Sequence, residues 1–371
     1  MRFIISTQEL TYLIGKMLNV VGAKSAVPIL SNILIEAKNG EVILTATDLT
    51  VGIRCFTEAK VLEEGATTLP AKRFANLIRE LTVLNVEIST NKNEITEIIA
   101  GSSRFKMHGM SRDEFPELPP IYDAKQFKIS QAELKDVLVR TSFAVSKEDN
   151  RYVLTGVFLN LDPSGGATFV GTDGKRLAKT YKPVSSPESL TGSYIIPLKA
   201  IEEIIKNLND DEEDACCFLL DDKIAVQASN SIIITKLLNG DYPDVDRVIP
   251  EKTDMVVSLH REELITLLRQ ISLFTNENTH SSVRFTFGDG ELTLTANTME
   301  VGEGLVKMPV NYHGEKLEIA FNPNYFLDIL RFSKSENIQL GLIDPFNPGV
   351  ITDENQDNPL YILMPMRLGE E

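Results

Sequence analysis

Apolar positions along the chain fall into two kinds of helical stripe, and each kind occurs three times. Leu10, Leu13, Ile14, Met17 and Leu18 follow Ile5-Ser6-Thr7-Gln8-Glu9. Leu134, Val137 and Leu138 follow Ile129-Ser130-Gln131-Ala132-Glu133, and Leu264, Leu267, Leu268 and Ile271 follow Val257-Ser258-Leu259-His260-Arg261-Glu262-Glu263. The i, i+3, i+4 spacing predicts a helix with one buried face. Thr7, Ser130 and Ser258 are the expected caps, because a hydroxyl there accepts from the free N–H groups of the first turn. The second stripe begins near proline, which tolerates a helix start because its missing N–H would be unpaired there anyway. Pro70 precedes Phe74, Leu77, Ile78 and Leu81; Pro197 precedes Ile201, Ile204, Ile205 and Leu208; Pro323 precedes Phe326, Ile329 and Leu330.

Between the two helices of each set lie alternating or wholly apolar runs joined by turn residues, the pattern of antiparallel hairpins. Asn39-Gly40, Pro163-Ser164-Gly165-Gly166 and Gly288-Asp289-Gly290 mark the turns. A related phrase follows each: Leu44-Thr45-Ala46-Thr47-Asp48, Val170-Gly171-Thr172-Asp173 and Leu294-Thr295-Ala296-Asn297. One unit of about 125 residues is thus written three times. Each unit is expected to be an α+β domain with its helices on one face of antiparallel sheet. The Pro-rich stretches Phe115–Pro120 and Tyr242–Pro250 suggest boundaries that give domains at 1–124, 125–251 and 252–371.

Composition narrows the class. The chain has 371 residues, 43% hydrophobic and 24% charged, an ordinary globular balance with room for several cores. It has no run of about eighteen apolar residues, and Met1–Leu10 lacks the basic-then-apolar order of a secretory signal, so a cytoplasmic location is expected. Cys55, Cys216 and Cys217 make an odd count without metal-ligand spacing, so reduced, largely buried thiols are expected. His108, His260, His280 and His313 stand singly and pair with no nucleophile motif. Gly174-Lys175 lacks the frame of a phosphate loop. No cofactor, metal or catalytic residue is expected. Asp48 and Asp173 recur at equivalent places and could be read as paired catalytic carboxylates, but an aspartate after a strand-end threonine commonly bonds its own backbone, which favours a folding role.

The formal net charge is −16, which argues against coating of nucleic acid or anionic membrane by a uniformly basic surface. The charge is segregated by element, however. The six helical spans together carry +3, so the acidity sits on strands and loops. Helices lining a channel for a polyanion would have this bias, though balanced solvated faces also produce it.

The residues resemble the bacterial DNA sliding clamp family, the beta subunit of the replicative DNA polymerase III, along the whole chain. The most specific matches are Thr172-Asp173-Gly174-Lys175-Arg176-Leu177-Ala178, Tyr242-Pro243-Asp244-Val245-Asp246-Arg247-Val248-Ile249-Pro250 and Tyr361-Ile362-Leu363-Met364-Pro365-Met366-Arg367-Leu368. Pro28-Ile29-Leu30, Gly65–Ala71 and Phe321-Asn322 with Tyr325 support them. The resemblance implies a head-to-tail homodimer, a ring of six similar domains with helices lining the hole and sheets outside. It implies a processivity factor, not an enzyme, with double-stranded DNA bound without regard to sequence. Its further implied partners are the replicative polymerase, a clamp loader ATPase, and other polymerases and repair proteins, with no membrane.

The same resemblance assigns residues. Phe105 and Met107 fall on the seam strand, and Leu273 and Phe274 on the facing helix; ordinary domain core is the alternative. Lys24, Arg151 and Tyr152 are expected on loops near DNA, and Arg73 and Lys199 facing the hole. The pocket for partner peptides is expected from Leu154, Thr172, Gly174, Lys175, Arg176, Leu177, Pro243, Arg247, Val248, Asn322, Tyr325, Val350, Met364, Pro365, Met366, Arg367 and Leu368. Aliphatic and methionine side chains there form an adaptable apolar surface, while arginines can bond backbone or carboxylates. Lys175 replaces a histidine common in the family, Val153 an aromatic, and Gly369-Glu370-Glu371 extends the usual ending. Two other readings remain at this stage: a cytosolic ring-forming scaffold that never meets DNA, and an enzyme using Asp48 or Asp173.

Overall fold

The structure, a computed structural model, describes residues 1–22, 27–121, 123–187, 190–275, 281–356 and 358–367. Three successive groups of elements share one order. The first comprises β1 (Arg2–Ser6), α1 (Thr7–Met17), β2 (Asn32–Lys38), β3 (Glu41–Thr47), β4 (Val51–Glu58), β5 (Lys60–Glu63), β6 (Gly65–Pro70), α2 (Ala71–Arg79), β7 (Asn85–Thr90), β8 (Ile95–Ala100) and β9 (Ser103–His108). The second runs β10 (Lys125–Ser130), α3 (Gln131–Ser142), β11 (Gly156–Leu161), β12 (Gly166–Thr172), β13 (Arg176–Pro183), β14 (Gly192–Pro197), α4 (Leu198–Asn207), β15 (Asp214–Leu219), β16 (Lys223–Ala228) and β17 (Ser231–Lys236). The third runs β18 (Met255–His260), α5 (Arg261–Ser272), β19 (Val283–Gly288), β20 (Glu291–Thr298), β21 (Gly302–Pro309), β22 (Leu317–Phe321), α6 (Pro323–Phe332), β23 (Asn337–Leu342), β24 (Gly349–Asp353) and β25 (Leu360–Leu363). Among the strands and α-helices of the described residues only β5 has no counterpart, so the fold is the expected repeated α+β arrangement.

Helix starts follow one rule with a different residue each time. Ser6 Oγ accepts from the Glu9 N–H, Ser130 Oγ from Glu133 and His260 Nδ1 from Glu263. Thr7 is therefore the first helical residue and not the cap. Ser258 lies inside β18, two residues before the imidazole that takes its place. The second helices start from Pro70, Pro197 and Asn322, the last accepting from Asn324 and Tyr325. Asp48 and Asp173 close equivalent turns. Asp48 Oδ1 accepts from Thr50 and Val51 at 2.8 and 2.7 Å, and Asp173 Oδ1 from Lys175 and Arg176 at 2.9 and 3.0 Å. The backbone role is met in both copies.

Every pairing is antiparallel, and the sheets do not respect the units. Each unit builds two half-sheets, one from its first and last three strands and one from its middle four. At two places a half-sheet continues into the next unit: β17 pairs β4, and β25 pairs β13, making two eight-stranded sheets. The remaining half-sheets, β5-β1-β7-β8-β9 and β21-β20-β19-β22, end on β9 and β21. Apolar helix faces close the cores beneath: Leu10, Leu13, Phe74 and Ile78 in the first unit, Leu134, Val137, Ile201 and Ile204 in the second, Leu264, Leu268, Phe326 and Ile329 in the third. Cys55 and Cys217 are buried, Cys216 is half-buried, and all three are free; burial pushes the Cys55 thiol up to about 12. Among the described residues no helix is long and apolar enough to cross a membrane, and no cluster of three metal-ligating side chains occurs.

Candidate interaction sites

The β13–β25 junction is built around one buried arginine. Arg176 begins β13, and its guanidinium meets Asp173 Oδ2 at 3.1 Å, Asp328 Oδ2 on α6 at 2.6 Å and the Phe143 carbonyl at 2.8 Å. The rings of Phe143 and Tyr325 lie 5.4 and 4.6 Å from it. A guanidinium bonded on all three of its nitrogens, with Asp173 and Phe143 on one side and Asp328 on the other, ties the second unit to the third. It forms part of the groove's frame, with three of its five N–H donors held inside the protein. A second tie lies beside it: Arg140 on α3 reaches Asp136 at 3.0 Å and Asp353 at 3.7 Å, and Lys334 reaches Asp136 at 2.7 Å. Burial pulls the Asp136 carboxyl up, but the Lys334 and Arg140 contacts win and hold it below the usual range.

Around this frame most of the expected pocket residues gather on one surface. Leu177 is buried and faces Ile362 across the junction; Val350 and Tyr242 pack against the same cluster. Thr172 Oγ1 donates to the Arg176 carbonyl at 2.6 Å and accepts from Gly174 at 3.1 Å. Gly174 holds φ +82, a left-handed conformation that glycine adopts freely. The Lys175 carbonyl accepts from Met364 at 2.9 Å, and Met366 donates to Ala320 at 2.8 Å, so the chain's last segment stitches the second unit to α6's sheet. Leu154 and Asn322 are buried, and Asn322 serves as the α6 cap. Pro243, Val248 and Met364 stay exposed beside them, the apolar part of the surface left to solvent, while exposed Arg247 reaches Asp244 at 2.9 Å. Pro365 is half-buried and Arg367 exposed; Leu368 lies outside the described residues.

The residues expected near DNA are less uniform. Arg73 is exposed on α2, and Tyr152 is exposed ahead of β11. Arg151 donates to the Asp173 carbonyl at 2.8 Å. Lys199, at the start of α4, forms an ion pair with Asp48 that spans the first and second units; burial pushes the Asp48 carboxyl up, but that contact together with the Val51 and Thr50 N–H bonds holds it below the usual carboxylate range. Lys24 and His280 lie outside the described residues.

Phe105 and Met107 sit on β9, whose far edge is unpaired among the described residues, and Leu273 is 73% exposed just after α5. Phe274 packs beneath β21: a Cβ at Gly304 would stand 2.8 Å from its ring. Residue types alone did not single out β21. Its signal lay in the repeat, because the phrase at Leu294–Asn297 makes β21 the counterpart of β4 and β13.

Family models for the DNA polymerase III beta subunit match along the chain: the N-terminal domain over residues 1–119, the central domain over 128–244 and the C-terminal domain over 246–367. A protein named beta sliding clamp from Chlamydia pneumoniae is 53% identical over 371 residues, covering all of both chains. The crystal structure of the DNA polymerase III subunit beta from Pseudomonas aeruginosa superposes with a TM-score of 0.94 at 29% identity, covering 99% of this chain and 100% of that one. The DNA polymerase sliding clamp of Bacillus subtilis superposes with a TM-score of 0.95 at 26% identity, covering 100% of each chain. The chain belongs to the DNA polymerase III beta subunit family, the bacterial DNA sliding clamps.

Proposed function

We propose that two copies of this chain close head to tail into a ring that encircles duplex DNA, slides on it, and tethers the replicative polymerase. The observation that carries the reading is the pair of open edges. Within the chain, the last strand of one unit twice pairs the fourth strand of the unit before it. The only such strands left over among the described residues are β9 and β21. A head-to-tail contact of these edges copies the two internal junctions, and a closed ring leaves neither edge exposed. In this reading the outer register copies the internal ones. Ile233 faces Ile53 and Tyr361 faces Ala178; their counterparts are Phe105 and Gly304, which puts Lys106 opposite Glu303. Phe105 then comes over the Gly304 gap toward Phe274 and Leu273.

The domains in this reading are 1–124, 125–251 and 252–371. The protein works as a tether and not as a catalyst, in the cytoplasm. The contacts to DNA are interchangeable phosphate attractions from Arg73, Arg151, Lys199 and Lys24, with Tyr152 on the short 3-10 helix that also carries Arg151, because a ring holds DNA by topology and needs no base readout. Lys199 is shared with Asp48, so its contribution is the weaker. The groove of Val248, Met364, Pro243 and their neighbours takes an apolar peptide segment of the polymerase, of other polymerases and repair proteins, and of the ATPase that loads the ring. Lys175 and the acidic ending tune which peptides fit.

Retention on DNA tests this directly. Protein loaded on closed circular plasmid by its loader is expected to stay bound through gel filtration and to leave when the plasmid is cut once. Equal loss from circles and from linear DNA would remove the topological claim. On the same circles, Met364→Asp should keep the ring in place and lose the polymerase; undiminished polymerase recruitment would refute the groove.

A further inference from the structure

The β4–β17 junction has its own covering segment, and it is built differently from the one over β13–β25. Phe115-Pro116-Glu117-Leu118-Pro119-Pro120-Ile121 crosses the first junction as Tyr242-Pro243-Asp244-Val245-Asp246-Arg247-Val248 crosses the second. Leu118 presses on Gly52, where an added Cβ would come within 2.5 Å of it. Between this segment and the sheet lies a cavity of about 890 Å³. Its apolar walls are Ile43, Phe56, Phe218 and Ile232, all half-buried, with Leu118 above.

Arg54 projects into this cavity from β4, opposite Ile232. Its counterpart six residues after the turn aspartate of the second unit is Lys179, which is neutralised by Asp246 of the covering segment at 2.5 Å. At the position of Asp246 the first segment has Pro119. Arg54 accordingly has no carboxylate, and its Nε is buried without a hydrogen-bond partner among the described residues. The other buried charge of the wall is satisfied, Glu36 by Arg112 at 3.2 Å. A buried donor left unmet is uncommon in a native structure and costs stability unless a partner arrives.

We propose that this cavity is a docking site for the C-terminal end of a partner chain, an apolar last residue whose free carboxylate pairs with Arg54. The volume lies in the range of ligand pockets. A guanidinium beside apolar walls suits a carboxylate and an apolar side chain carried on one residue, since it can hold both carboxylate oxygens at once. With Lys38 and Arg112 paired to Glu36, the rim carboxylates Glu41, Asp113 and Glu117 remain to complement a basic residue just upstream. The site is separate from the Val248–Met364 groove and does not rest on it.

The probe is acetylated lysyl-leucyl-phenylalanine with a free carboxylate, titrated into the full-length protein by calorimetry, beside the same tripeptide ending in a carboxamide. Saturable binding of the acid is expected, at least about tenfold tighter than that of the amide. Arg54→Gln should lower affinity for the acid to that of the amide. Pro119→Asp should do the same with an undiminished melting temperature, because it gives Arg54 the internal partner that Asp246 gives Lys179. Should Arg54→Gln unfold, the Pro119→Asp result decides. Equal binding of acid and amide, undiminished binding by Pro119→Asp, or no saturable binding up to about 1 mM would overturn the proposal.

Discussion

The same strand pairing occurs closed inside the chain and open at its ends, and the two versions differ in what their strands expose. β17 buries four of its six residues and β4 four of its eight, and β25 buries Tyr361, Ile362 and Leu363. β9 exposes five of its six residues, and β21 exposes Glu303, Leu305 and Lys307 in alternation with half-buried Gly304 and Val306. The closed junctions are also tied by side chains of opposite charge, Arg176 to Asp328 at one and Lys199 to Asp48 at the other. In the proposed ring, an edge that opens for DNA to enter gains from being less strongly tied than one that stays closed. In that reading the difference sorts permanent junctions from a separable one, and it can be attacked from either side.

The largest effect is expected at the closed junction. Arg176→Ala removes the shared partner of Asp173 and Asp328 and leaves both carboxylates without it. Breaking a buried pair from one side costs about 3–5 kcal/mol. Urea denaturation should show that loss, with a separate early transition for the third unit. A single unchanged transition would mean that the β13–β25 pairing alone holds the units together.

Phe105→Asp should leave the folded monomer alone, because the ring is 36% exposed there, and should dissociate the dimer. Losing an aromatic anchor at an interface costs about 2 kcal/mol or more, roughly thirtyfold in the dimer Kd. Sedimentation would read this as monomer at concentrations where the parent is dimeric. A dimer of unchanged strength would place the contact on another surface.

Much of this architecture was legible in the sequence, and the illegible parts share a physical cause. Helix stripes, hairpin turns and the aspartate turns are local, so neighbours within a few residues specify them. The Asp48 and Asp173 carboxylates are examples: each bonds backbone two and three residues ahead. The third helix cap was misplaced by two residues because an imidazole performs it, outside the hydroxyl and carboxamide rule. Arg176 could be named from its phrase but its commitment could not, since Asp328 is 152 positions away. Arg54 offered no local sign at all. Its meaning lies in a proline at position 119, legible only once two linkers are laid over two superimposable junctions.

The smallest effect tests the register of the open edges. If β9 and β21 pair as the internal junctions do, Lys106 faces Glu303, both exposed in the single chain. A rim pair of this kind contributes little, so Lys106→Glu should weaken the dimer only about two- to fivefold at low salt. Its value lies in the reciprocal change. Glu303→Lys alone should weaken the dimer by a similar factor, and the two together should restore it, with the coupling fading as salt rises. A register slipped by one residue would point these side chains to opposite faces, and the double variant would then be no better than the sum of the singles. Restoration would show that the contact between two molecules is a third copy of the junction each molecule already contains twice.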